Sequence, residues 1–119
     1  MENRIDFENI EKKLEIALDS KEYLSLANKV NTAKRIYLIG NGGLHYVASH
    51  ASTDMTRLIE GKVIHSFDSV GFITSNANDH PYDLLFVRWL ESTTLDIDFE
   101  NSLVIGMSCS GKSKNILNA

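Results

Sequence analysis

The chain has 119 residues, 43% of them hydrophobic, and a formal net charge of -4. That length holds one modest domain, and the apolar share is enough for a core, which excludes a disordered chain. The acidic balance, with no basic block, excludes a general affinity for nucleic acid or anionic membrane, and the apolar runs are too short to cross a bilayer. A single cysteine, Cys109, excludes an internal disulfide framework and a cysteine-rich zinc site. Met1-Glu2-Asn3-Arg4 leads into a charged amphipathic segment rather than the apolar stretch of a signal peptide. The composition reads as a soluble cytoplasmic α/β protein.

From Ile5 to about Val30 the apolar residues Ile5, Phe7, Ile10, Leu14, Ala17, Leu18, Leu24, Leu26 and Ala27 recur mostly at helical spacing. Asp19-Ser20 divides this stretch into two helices, since both residues favour caps and turns. Arg35-Ile36-Tyr37-Leu38-Ile39 is a β-branched and aromatic run that reads as a buried strand, stopped by Gly40-Asn41-Gly42-Gly43. A helix follows from Leu44 to about Ile59, with Val47, Ala51, Met55 and Leu58 along one face. Gly61 ends it, and Lys62 to Phe67 reads as a second strand. Residues 73–81, rich in Ser, Asn and Asp and ending in Pro81, read as mostly loop or short helix. Tyr82 to about Thr93 returns to helical spacing through Leu85, Phe86, Trp89 and Leu90. Ser102 to Met107 is a third strand, and a further helix starts near Lys114.

Strands alternating with helices predict a parallel sheet covered on both faces, a three-layer α-β-α sandwich preceded by N-terminal helices. Ligands in such sheets bind beyond the carboxyl ends of the strands, at a topological switch point. Two loops fall there. Ser108-Cys109-Ser110-Gly111-Lys112-Ser113 joins the third strand to a helix N-terminus, where free N–H groups and the helix dipole favour an anion. Its serine hydroxyls suit phosphate oxygens, and the same composition also serves as a serine-rich cap and turn. It lacks the glycine register of a Walker A loop. Gly40 to Gly43 serves either as a sharp turn or as a ligand loop, and it lacks the dinucleotide fingerprint.

His50 and Asp54 sit four residues apart on the helix leaving that loop, so both project from one face. Such a pair suits a shared divalent metal, proton transfer, or simply the polar edge of an amphipathic helix. His45, His65 and His80 have no comparable partner and read as surface or structural. Asn78-Asp79 ahead of His80-Pro81 reads as a cap at the start of a helix. Cys109 has no candidate base and reads as a small loop residue.

The order of these pieces, Gly-Asn-Gly-Gly after a strand, His50-x-x-x-Asp54, Asn78-Asp79, then Ser-Cys-Ser-Gly-Lys-Ser-Lys-Asn, resembles the phosphoheptose isomerases of the sugar isomerase (SIS) superfamily. The resemblance runs over essentially the whole chain and covers the first part of the family's domain. It implies a flavodoxin-like SIS fold, with residues 1–30 as a helical segment that packs on the domain and serves oligomerisation, and 31–119 as a partial SIS domain. It implies that Asn41, Gly42, Gly43, Asn78 and Asp79 meet the sugar, and that Ser108, Cys109, Ser110 and Ser113 hold its phosphate. His50 matches a zinc ligand. Asp54 matches a glutamate that ligates zinc, contacts substrate and acts as the catalytic base. The implied reaction converts sedoheptulose 7-phosphate into D-glycero-D-manno-heptose 7-phosphate through an enediol, in a cytoplasmic homo-oligomer of the family's tetrameric kind, for lipopolysaccharide or capsule heptose synthesis.

Three departures bear on that implication. Asp54 is one methylene shorter than glutamate, roughly 1.5 Å of reach, and a misplacement of that scale costs ~10²-fold in rate. Leu44 stands where the family has serine. The chain stops early in the helix after the phosphate loop, before the family's later Gln and His, and it shows three strands where such a fold has about five. The expectation is a partial chain with a bare outer edge on the third strand, prone to mispairing. Two other readings stand beside the isomerase: a non-catalytic SIS-type binding or regulatory module, which Asp54 and Leu44 favour, and a SIS enzyme for another phosphosugar.

Overall fold

The computed structural model describes residues 5–94 and 96–119. Residues 1–4, which carry the reading of the N-terminal lead-in, lie outside the described residues. The chain forms two compact units, Met1–Thr32 and Ala33–Ala119.

The first unit is a helix pair, α1 (Phe7–Leu18) and α2 (Lys21–Thr32). Asp6 caps α1 by accepting a hydrogen bond from the Asn9 N–H at 3.0 Å. Asp19 and Ser20 make the break that their cap chemistry predicts. The Ser20 hydroxyl donates to the Ala17 carbonyl at 2.6 Å and accepts from the Tyr23 N–H at 3.1 Å, closing one helix and opening the next. Neither helix buries a residue. Ile10, Leu14 and Leu18, one turn apart along α1, are 54%, 57% and 44% exposed, so the apolar stripe that makes the helix amphipathic is uncovered.

The second unit runs β1 (Arg35–Gly40), α3 (Gly43–Leu58), β2 (Val63–Ser66), α4 (Val70–Asp79), a 3-10 turn at Tyr82–Leu84 leading into α5 (Leu85–Thr93), a 3-10 segment at Asp96–Asn101, β3 (Ser102–Met107) and α6 (Lys114–Leu117). The strands are parallel in the order β2-β1-β3. The central strand has Ile36, Tyr37, Leu38 and Ile39 all 2% exposed or less, which is why its sequence is continuously apolar rather than alternating. β2 and β3 flank β1 on opposite sides, so right-handed crossovers put α3 on one face and α4 with α5 on the other. Among the described residues β3 pairs only with β1, leaving its outer edge open.

The core lies between the sheet and α4–α5. Ile39, Phe67, Leu85 and Phe86 form its buried centre, with Phe72, Ile73, Trp89, Val104 and Ile116 packed around them. Phe67 meets Phe86 and Trp89 edge to face at 5.5 and 5.1 Å between ring centroids, a geometry that adds to their area burial. Tyr37 is buried beneath Trp89, and its phenol oxygen accepts a hydrogen bond from the Thr94 hydroxyl at 2.8 Å.

The structure corrects one element. Residues 73–81, expected to be mostly loop or short helix, contribute to a full ten-residue helix, α4, that starts earlier, at Val70, and ends at Asp79. Ser69 caps it by accepting from the Phe72 N–H at 3.2 Å, while Phe72 and Ile73 anchor it on the core. Packing overrides the weak helix propensity of its Ser, Thr and Asn residues. Asn78 and Asp79 therefore do not cap a following helix; they fill the last turn of α4, exposed, with Asn78 Nδ2 donating to Asp79 Oδ1 at 2.8 Å.

Tyr37→Phe strands the buried Thr94 hydroxyl and is expected to cost about 1–3 kcal/mol, most of it recovered when Thr94→Val is added. Urea unfolding measures both, and equal losses in the single and double variants contradict the assignment. Gly40 approaches α3 so closely that a Cβ would lie 2.7 Å from the Leu44 carbonyl carbon and oxygen. Gly40→Ala is expected to cost about 1–3 kcal/mol by overpacking; an unchanged unfolding midpoint would show that α3 shifts freely.

Candidate functional site

The two loops singled out by their composition start side by side. In the β1–β3 register Gly40 is opposite Met107, so the chain leaves both strands at the same level of the sheet, at the switch point between opposite-side crossovers. Gly42 caps α3 without a side-chain hydrogen bond, and the Leu44 and His45 N–H groups close the first turn on the Asn41 and Gly42 carbonyls.

The serine loop gathers its hydroxyls. Ser108 Oγ lies 3.4 Å from Ser110 Oγ and 3.1 Å from Ser113 Oγ, and Ser110 Oγ accepts from the Lys112 N–H at 3.1 Å. Gly111 takes φ +65°, a conformation that a residue with a Cβ adopts only with strain, and its N–H folds back on the Ser108 carbonyl at 3.3 Å. Cys109 is exposed on the same loop. α6 spans one turn, so the polar groups that the loop presents are its hydroxyls and N–H groups more than a helix dipole.

An amide pair ties the loops together. Asn41 Nδ2 donates to Asn115 Oδ1 at 2.9 Å, and Asn115 Nδ2 donates to Asn41 Oδ1 at 2.8 Å. Asn115 is 3% exposed. Beside the glycine loop lies a cavity of about 220 Å³, lined by Gly40, Asn41 and Gly42 together with His45, Tyr46 and Tyr82 over a floor of Phe67, Leu85 and Phe86. His45, expected to be surface or structural, therefore faces this cavity. Asn115 closes the serine-loop motif without a role of its own there, and Tyr82 is not marked by the sequence. Their roles depend on contacts between distant parts of the chain, and no local spacing signals them.

His50 and Asp54 stand elsewhere. They are on the outer face of α3, with His50 Nε2 3.3 Å from Asp54 Oδ2 and side-chain exposures of 81% and 49%. His50 is about 10 Å along the helix axis from its first residue, at 1.5 Å per residue. The pair lines a separate groove of about 640 Å³ formed with Val47, Ala51, Met55 and Leu58, and Tyr46 borders both this groove and the loop cavity. A catalytic zinc takes three protein ligands. Among the described residues no group of three His, Cys, Asp or Glu side chains comes together, so His50 and Asp54 supply a partial donor set. Asn78 and Asp79, at the end of α4, are outside the lining of either space.

No family model matches the chain. Curated relatives do. The chain is 32% identical over its whole length to the phosphoheptose isomerase of Buchnera aphidicola, covering 57% of that protein. It is 32% identical over 94% of its length to that of Helicobacter pylori, covering 60%, and 30% identical over 87% to that of Haemophilus ducreyi, covering 54%. The chain thus spans little more than half the length of these relatives. In fold it matches the phosphoheptose isomerase GmhA of Neisseria gonorrhoeae with a TM-score of 0.74 at 23% identity, over 94% of this chain and 61% of that one. In sequence the chain is thus similar to phosphoheptose isomerases over little more than half of their length, and its parallel sheet shares the fold of the solved one.

Proposed function

We propose that the chain binds a phosphorylated sugar across its two loops and serves the isomerisation of sedoheptulose 7-phosphate to D-glycero-D-manno-heptose 7-phosphate. One juxtaposition carries the proposal: three clustered serine hydroxyls and a glycine loop joined to them through Asn41 and Asn115. Ser108, Ser110 and Ser113 turn their hydroxyls to the phosphate oxygens, with Cys109 beside them. Lys112 and Lys114 add positive charge to an otherwise acidic chain. Asn41, Gly42 and Gly43 meet the sugar hydroxyls, with Asn78 and Asp79 as further contacts carried over from the family pattern.

The chemistry is a proton transfer between adjacent carbons. A base removes a proton from C1 of the ketose, and the electron pair left behind forms the C1=C2 bond as the C2 oxygen gains a proton. The enediol then loses its O1 hydroxyl proton, C1 becomes the aldehyde and C2 regains a proton. Asp54 is the base in this reading, oriented by its contact with His50. Zinc, where bound, would take His50 and Asp54 as two of its ligands and supply polarisation of the carbonyl.

The reading includes a homo-oligomer in the cytoplasm. The uncovered apolar side chains of α1 and α2, and of α3 at Tyr46, Val47 and Leu58, support self-association.

Isothermal titration with sedoheptulose 7-phosphate, with and without zinc, tests the pocket. Ser108→Ala is expected to weaken binding about 10- to 100-fold, as loss of a hydrogen bond to a charged group does; unaltered affinity would remove the serine loop from the phosphate site. Deuterium uptake at C1 or C2 in heavy water, followed by NMR, tests the chemistry. Asp54→Asn is expected to abolish uptake while leaving binding in place. Uptake that survives Asp54→Asn excludes Asp54 as the base, and binding without uptake in the parent chain identifies a non-catalytic binding module.

A further inference from the structure

We propose that Asn115 is a positioning residue: it latches the sugar loop to the phosphate loop by fixing the Asn41 side chain, so that one ligand can be held at both ends. The inference rests on the phosphosugar reading above and adds a role for a residue to which that reading gives none.

The geometry carries it. The two amides form a closed pair of hydrogen bonds at 2.9 and 2.8 Å, each side chain donating once and accepting once. Asn115 is 3% exposed and Asn41 half-buried, so the pair has little competition from water. A buried amide left unpaired costs more than the bond is worth in the open, which makes the pair an all-or-none contact. Asn115 is two positions beyond the phosphate-loop residue Ser113, and the Ile116 and Leu117 N–H groups close on the Ser113 carbonyl, both at 3.0 Å. These backbone bonds and the 3.1 Å Ser113–Ser108 contact hold the hydroxyl cluster without the Asn115 side chain, which is left to fix Asn41 at a set distance from it.

Asn41 keeps one amide hydrogen and one lone pair after pairing with Asn115. These remaining sites are held in a fixed direction beside the cavity that Asn41 lines. A sugar phosphate that engages both loops gains from this fixed spacing, because the cost of ordering the loops is met before it binds. Inorganic phosphate, which reaches only the serine loop, gains nothing from it.

A double-mutant cycle on the full chain reads this difference. Asn41→Ala, Asn115→Ala and the double variant are titrated with sedoheptulose 7-phosphate and, separately, with inorganic phosphate, and each is melted by circular dichroism. The latch predicts that Asn115→Ala weakens sugar-phosphate binding about tenfold, that adding it to Asn41→Ala costs little more, and that phosphate affinity stays within about threefold. If Asn115→Ala does not fold, Asn115→Leu, close to asparagine in volume, takes its place in the cycle. Parallel losses for both ligands, additive losses, or an unchanged sugar-phosphate affinity each overturn the latch while the phosphosugar reading stands. A parent chain that binds neither ligand overturns the phosphosugar reading itself, and the latch with it.

Discussion

The site depends on the register of one strand pair. β1 and β3 run parallel with Gly40 opposite Met107, so the two chains leave the sheet together and in the same direction. Opposite-side crossovers then open a crevice between them. Two glycines let the following helices close on it. Gly40 admits the Leu44 backbone, and a Cβ on Gly106 would lie 2.8 Å from Ile116 Cγ2, so α6 can lie against β3 only because that side chain is missing. The Tyr37 phenol, bonded to Thr94 at 2.8 Å within this buried run, holds the register, since a slip of one residue would carry it to the other face of the central strand.

Within this frame the site has two parts with different physical characters. The loop part is built from neutral groups: hydroxyls, backbone N–H groups and an amide pair, joined through short contacts between residues far apart in sequence. Such donors hold an anion without the desolvation cost of a buried cation. The α3 part, His50 with Asp54, is solvent-exposed and rests on a single contact between neighbouring turns. An exposed pair of this kind contributes little to stability, which leaves its side chains free to move toward a ligand. Tyr46 borders both spaces.

The fold was legible where a residue's neighbours in sequence decide its conformation. Asp19-Ser20 broke the first helix because both cap locally, and Ser102 to Met107 was bounded to the residue by its apolar run and the serine loop after it. The extent of α4 was not legible because its helix is held by Phe72 and Ile73 against the core, while its Thr74 and Ser75 hydroxyls bond back to Val70, Gly71 and Phe72 carbonyls. Its Asn76 is buried with Nδ2 unpartnered among the described residues, a placement that no propensity would suggest. The site followed the same division. Serine and glycine loops announce themselves by composition, whereas Asn115 acts through Asn41 across 74 residues of sequence, and His45 and Tyr82 take their place only once the sheet has formed.

The central claim is that the two loops act as one receptor for a phosphorylated sugar. Amide chemical-shift mapping during titration with sedoheptulose 7-phosphate tests it most directly. The account predicts concerted shifts in both loops, from Asn41 to Gly43 and from Ser108 to Ser113, at a single affinity. Shifts confined to the α3 groove around Met55 and Leu58, or to one loop alone, would contradict it.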